Sequence, residues 1–137
     1  TSRRMFRKKG SLHDIMKSYC SDYGVKIVAT TDRRIISPKI HTFGSILYSA
    51  EEDAFYEEPP YTNIEVVDRI GSGDAYVAGV LFGLLKYGEN KKALEFGNAT
   101  AAVKNTIPGD LPASDFREVE RLIREHQNTG FQSEMDR

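Results

Sequence analysis

Leu12, Ile15, Met16, Tyr19 and Tyr23 recur three and four residues apart, the spacing that lines one face of an α-helix. Ser11, with Asp14 three residues on, resembles a capping box that would open this helix, and Gly24 would close it. The period then changes. Residues 25–30 form a short β-branched run, Val-Lys-Ile-Val-Ala-Thr, between turn-prone residues, which predicts a largely buried strand. A helix leading directly into a buried strand is half of an α/β unit.

Residues 45–49 and 54–56 are strand-like and separated by a short acidic connection, so they predict an antiparallel hairpin, and Pro59-Pro60 interrupts the run. Ile64-Glu65-Val66-Val67 reads as the last strand and runs into a turn, Asp68-Arg69-Ile70-Gly71-Ser72-Gly73-Asp74. Residues 75–85 are apolar nearly all round, which predicts a buried helix with Gly79 and Gly83 as close-packing notches and Gly88 as its end. Asn90 is placed to cap a small-residue helix reaching about Lys104, and a final amphipathic helix sets Phe116, Val119, Leu122 and Ile123 on one face.

Composition narrows the function classes. The 137 residues carry 19 Lys and Arg against 20 Asp and Glu, a net charge of −1, 39% hydrophobic residues and one cysteine. That describes one ordinary globular domain, and a lone Cys20 excludes an internal disulfide, which makes cytoplasmic residence the expectation. The run 75–85 is far short of the roughly 20 residues of a bilayer span, so no membrane role is expected. Near-neutral charge argues against a dedicated nucleic-acid binder. The basic head (Arg3, Arg4, Arg7, Lys8, Lys9) and the acidic stretch (Glu51, Glu52, Asp53, Glu57, Glu58) read as solvated surface. His13, His41 and His126 lack metal-ligand spacing and read as surface or capping residues, and no metal-ligand cluster is expected. Tyr48, Phe55, Tyr56 and Tyr61 read as strand and loop packing.

The turn at 68–74 carries the candidate chemistry. A strand, a turn with two glycines and then a helix make an anion site, because unpaired N–H groups and the positive dipole end converge there. Gly71 and Gly73 would let a phosphate approach without Cβ obstruction. A carboxylate such as Asp74 in a first helical turn also complements the dipole with no catalytic purpose. Asp68, a second carboxylate entering the same turn, tips the reading toward chemistry. A dinucleotide fingerprint fails because Tyr76 stands where the third glycine is needed, and no G-x-x-x-x-G-K-[ST] is present. The spacing is instead D-x-x-G-x-G-D-x-x-x-x-G, from Asp68 through Gly71, Gly73 and Asp74 to Gly79.

That segment resembles the C-terminal signature of the ribokinase family of carbohydrate kinases, and the likeness extends over most of the chain from about Ser11. Within the family the nearest resemblance is to the 2-dehydro-3-deoxygluconate kinases, on residues 26–31, the Asp-Arg-Ile form of the signature and residues 104–110. The resemblance implies a ribokinase-like three-layer α/β/α fold. Residues 1–137 would form the C-terminal, nucleotide-binding and catalytic part of a single kinase domain. That part would hold a portion of the mostly parallel sheet, flanking helices and a β-hairpin, without the N-terminal half and its lid. The start at Thr1 rather than Met fits such a piece.

The resemblance also implies roles. Asp74 would be the catalytic base and the N–H groups of Gly71, Ser72 and Gly73 the anion hole. Gly44 and Asn98 would lie by the nucleotide, and Asp110 would approach the sugar. Asp68 would help hold a monovalent cation such as K⁺, with capping of the turn as its competing role. The implied reaction is phosphorylation by ATP of the primary hydroxyl of a sugar acid, 2-dehydro-3-deoxy-D-gluconate, giving the 6-phosphate, with Mg²⁺ held mainly by phosphates and water. The expected partners are that sugar acid, ATP, and either a second copy or the missing half. The fragment alone is expected to be inactive. Asp32 stands where relatives usually have an apolar residue, which leaves the role of Arg33 open, and Ser72 replaces the commoner alanine. Two rivals stand beside this reading. One is another sugar or nucleoside kinase of the family, such as a fructokinase. The other is a non-catalytic module whose turn binds phosphate or simply builds the fold.

Overall fold

The computed structural model describes residues 9–107, 109 and 115–135. Helix α1 (Lys9–Tyr23) precedes strands β1 (Ile27–Ser37), β2 (Ile40–Ser49), β3 (Ala54–Tyr56) and β4 (Tyr61–Glu65). Helices α2 (Ser72–Tyr87), α3 (Asn90–Asn105) and α4 (Phe116–Met135) come after them. The basic head up to Lys8 and Asp110 lie outside the described residues.

β2 is the centre of the sheet. It pairs with β1 from Ile27↔Ser49 to Ser37↔Ile40, with an irregularity between Ile35 and Ser37. It also pairs with β3 (Leu47↔Tyr56, Tyr48↔Phe55, Ser49↔Ala54) and with β4 (Ile40↔Glu65, Phe43↔Tyr61). Period-two alternation along β2 sends its residues to two different layers. Phe43 and Leu47 pack with Tyr76, Val80, Leu84, Leu94 and Ala101 of α2 and α3. Ile46 and Tyr48 pack with Leu12, Met16 and Cys20 of α1. Helix, sheet and helices thus form three layers, and the α/β class holds.

Several local expectations are corrected. All pairings among the described residues are antiparallel, where a mostly parallel sheet was expected. The reason is local: residues 38–39 form a turn, so β1 folds straight back on its successor instead of crossing over. β1 is also longer than the run 25–30, and its positions are half-buried or exposed rather than largely buried. Ser11 lies inside α1, so it does not open that helix. Tyr19 and Tyr23 stack on each other in solvent, leaving Met16 and Cys20 as the buried contacts. Gly24 does close α1, at φ 67° with its N–H on the Cys20 carbonyl. Asn90 is the first residue of α3 rather than its cap, and its amide reaches Glu52 Oε1 at 3.2 Å. The last strand ends at Glu65, two residues short of Val67.

α2 is not buried all round. Ala75, Tyr76, Gly79 and Gly83 are covered, whereas Val77, Leu81 and Leu85 are exposed. The covered face meets α3 at backbone distance: a Cβ on Gly83 would lie 2.7 Å from Ala93 Cα, and one on Gly97 would lie 2.8 Å from Tyr76 Cε2. Small residues set this spacing, as the notches required. α4 lays Phe116, Val119, Leu122 and Ile123 on Phe96, Ala99, Ala102 and Tyr61, as its periodicity required.

Candidate active site at the glycine turn

The chain leaves β4 and is sewn to the end of α3, where the Asn105 carbonyl accepts the N–H groups of Val67 (2.8 Å) and Asp68 (3.1 Å). The Asp68 carboxylate then accepts from Ile70 N (2.9 Å) and Gly109 N (3.0 Å). Those two backbone donors, with the Lys104 charge behind them, hold its carboxyl below the usual carboxylate range. Turn capping, the competing role for Asp68, is therefore present in the geometry.

Gly71 takes the left-handed conformation (φ 81°, ψ 1°) and turns the chain into α2, whose first helical bond to it runs from Ala75 N to Gly71 O at 2.9 Å. Among the described residues, the N–H groups of Gly71, Gly73 and Asp74 have no hydrogen-bond acceptor. Ser72 differs. Its N–H bonds the Arg69 carbonyl at 3.2 Å, so this amide is engaged within the turn. Asp74 stands two residues after Ser72, exposed in the first turn of α2. Gly73 is exposed too, with open space where a Cβ would stand.

Arg33 braces this turn from the sheet. Nη2 donates to Ser72 Oγ (2.8 Å), and Nη1 donates to Asn105 Oδ1 (3.0 Å) and contacts His41 Nδ1 (2.8 Å). The guanidinium also lies 5.7 Å from the centre of the Phe43 ring. His41 is buried, not a surface or capping residue; burial first, then the Arg33 and Arg69 charges, push its pKa down. A neutral ring nitrogen can then accept from Arg33.

Thr30 and Thr31 border two clefts. One, between β1 and α2, reaches Gly73, Tyr76 and Val77. The other, about 460 Å³, is lined by Asp32, Arg34, Gly44, Ser45 and Glu58 among others. Gly73 and Gly44 are thus brought to neighbouring clefts that share a strand. Asn98 is not in either lining. It is fully buried, its Oδ1 accepting from Ser45 Oγ and its Nδ2 donating to Glu58 Oε1 at 2.9 Å. The tight seat of α3 on β2 turns its side chain inward, onto two residues that line the second cleft. Glu58 is a further correction to the solvated acidic stretch. Burial, offset by the Asn98 bond and reinforced by Glu95, pushes its carboxyl up to about 7.

Sequence reasoning missed Glu58, His41, Lys104 and Asn105, and left Arg33 without a role. A buried charge and a solvated one look alike in sequence, so only their partners distinguish them. Among the described residues no three His, Cys, Asp or Glu side chains converge on a metal position, and no helix is long and apolar enough to cross a membrane.

Known proteins resemble the chain in sequence and in fold. A 2-dehydro-3-deoxygalactonokinase of Haloferax volcanii is 44% identical over 69 residues, covering 50% of this chain and 21% of that protein. A 2-dehydro-3-deoxygluconokinase of Bacillus subtilis is 35% identical over 71 residues, covering 52% of this chain and 22% of that protein. The chain thus spans about a fifth of the length of these curated relatives. The crystal structure of 2-dehydro-3-deoxygluconokinase from Thermotoga maritima superposes with a TM-score of 0.78 at 26% identity, covering 85% of this chain and 35% of that one. Residues 43–114, just over half of the chain and including the whole glycine turn, match the sequence profile of the pfkB carbohydrate kinases, and the chain belongs to that family.

Proposed function

We propose that the protein carrying this chain transfers the γ-phosphoryl group of ATP to the primary hydroxyl of a sugar acid, 2-dehydro-3-deoxy-D-gluconate, releasing ADP and the 6-phosphate. The observation that carries the reading is an exposed carboxylate, Asp74, set directly beside the acceptor-free N–H groups of Gly71 and Gly73 at a helix N-terminus. Such amides fit a phosphoryl group in charge and direction. Asp74 orients the hydroxyl and accepts its proton as the oxygen–phosphorus bond forms and the bond to ADP breaks. The amides of Gly71, Gly73 and Asp74 take up charge on the migrating group, while Gly44 borders the cleft for the rest of the nucleotide. Mg²⁺ would be carried by the phosphates and water and supply further charge neutralisation. Asp110 would contact the sugar.

The named relatives phosphorylate dehydro-deoxy sugar acids, which supports the acceptor class. The 44% identity to a 2-dehydro-3-deoxygalactonokinase favours a second reading, in which the acceptor is the galactonate epimer. The short span relative to these relatives, with the exposed Val77, Leu81 and Leu85 of α2, supports the reading that the chain is the C-terminal part of one kinase domain whose remainder covers that face. Cytoplasmic residence belongs to the same proposal.

Asp74→Asn in the complete enzyme is expected to lower turnover by about a hundredfold or more while ATP binding stays within about threefold. Full turnover in the variant overturns the role of Asp74. An acceptor screen with ATP decides the substrate: phosphorylation of fructose, and of neither epimeric sugar acid, overturns the sugar-acid assignment.

A further inference from the structure

We infer that Lys104 is a built-in monovalent cation for the glycine turn, a positioning residue whose ammonium occupies the place where a potassium ion beside Asp68 would otherwise be needed. The inference rests on the kinase reading for its effect on turnover, though not for the occupancy itself. Lys104 belongs to the last turn of α3 and has no exposed surface, the largest such side chain among the described residues. A buried ammonium is costly unless oxygens replace its water. Its Nζ donates to the main-chain carbonyls of Ile107 (2.9 Å) and Asp68 (3.3 Å), which come from the two segments that meet under the turn. Carbonyl oxygens arranged around a point are what a weakly hydrated monovalent cation takes in exchange for its water shell.

The Asp68 carboxylate, the other group a potassium ion would use, accepts one amide on each oxygen, from Ile70 and Gly109, and the neighbouring positive charge is Lys104 itself, whose Nζ already holds the Asp68 and Ile107 carbonyls and would repel a second cation there. The residues here therefore do not fit an exchangeable ion at Asp68. They fit a tethered one. With the Asn105 carbonyl holding Val67 and Asp68, the ammonium fixes the stretch that ends at Gly71, and through it the direction of the free amides and of Asp74. Lys104 touches neither acceptor nor nucleotide in this arrangement.

The test compares the complete enzyme with Lys104→Met in buffers of equal ionic strength whose monovalent cation is tetramethylammonium, potassium or ammonium. The parent is expected to turn over equally, within about twofold, in all of them, with an unchanged melting temperature. The variant should lose about 10- to 100-fold in kcat in tetramethylammonium with little change in the acceptor KM, and regain about tenfold in ammonium or potassium. Its melting temperature should rise in the same two salts. Activation of the parent by potassium, an undiminished kcat in the variant, or a loss that neither small cation relieves in turnover or melting would each overturn the inference. Should Lys104→Met fail to fold in any salt, the parent decides alone: potassium dependence refutes the tethered cation and its absence supports it. A parent that phosphorylates no sugar acid would sink the proposed function instead, leaving the melting measurements to decide the cation.

Discussion

Arg33 on β1 and Ser72 at the start of α2 are joined by a 2.8 Å hydrogen bond from Nη2 to Oγ, across a sequence separation of 39 residues. The same guanidinium serves Asn105 and His41, so one side chain ties the sheet, the end of α3 and the glycine turn together. A planar fork can hold three acceptors in fixed directions; a lysine ammonium on a flexible stem cannot.

Arg33→Lys is therefore expected to destabilise the fold by about 1–3 kcal/mol, the scale of charge-assisted hydrogen bonds, in urea unfolding. Combined with Ser72→Ala, the loss should fall short of the sum of the single losses by about 0.5 kcal/mol or more. Strict additivity would mean that the two side chains do not support each other in solution.

The glycines of α2 should separate structural from chemical effects. Gly83→Ala would press a methyl group to within 2.8 Å of Ala93 N and the Lys92 carbonyl, so α2 and α3 must part. The expected cost is about 2 kcal/mol or more in thermal or urea unfolding. Gly73→Ala meets nothing within 4 Å and should leave stability unchanged or raise it by about 0.5–1 kcal/mol, as an alanine in a helix does. Its turnover should nevertheless fall, because the added Cβ stands where a phosphoryl group approaches the amides. Unaltered steady-state kinetics in Gly73→Ala would remove Gly73 from the anion site.

Glu58 makes stability depend on pH in a defined direction. Its carboxyl titrates near 7 in the fold against an ordinary value of 4.5, mainly through burial, with Glu95 raising it and Asn98 and Lys91 lowering it. Between those values the folded protein retains a proton that the unfolded chain has lost, so stability falls as pH rises from about 4.5 to 7 and then levels. Glu58→Gln keeps an oxygen for Asn98 Nδ2 and removes the buried charge. It should match the parent at pH near 5 and exceed it by about 1–3 kcal/mol at pH near 8. Parallel stability–pH curves for the two proteins would show that Glu58 is not the source.

Much of the site was legible because its chemistry is local. The glycine turn, its two aspartates and the helix after it occupy consecutive residues, so spacing alone exposed them. The β2–β3 hairpin and the apolar stripe of α4 were legible for the same reason: each arises from a period within a few residues. The partners of Asn98 were not legible, because Ser45 and Glu58, which close over it, lie 53 and 40 residues away in the chain.

The sequence by itself determined the class of the fold, the helical and hairpin patterns, and the carboxylate beside a glycine-rich helix start, since periodicity and turn chemistry act between near neighbours. Only the tertiary structure decided which way β1 folds back, which face of α2 stays open and which amides remain free. It also decided which partners Arg33, Glu58, Asn98 and Lys104 meet. Those outcomes depend on desolvation and hydrogen-bond partners supplied by residues remote in the chain, and such pairings exist only once helices and sheet have packed.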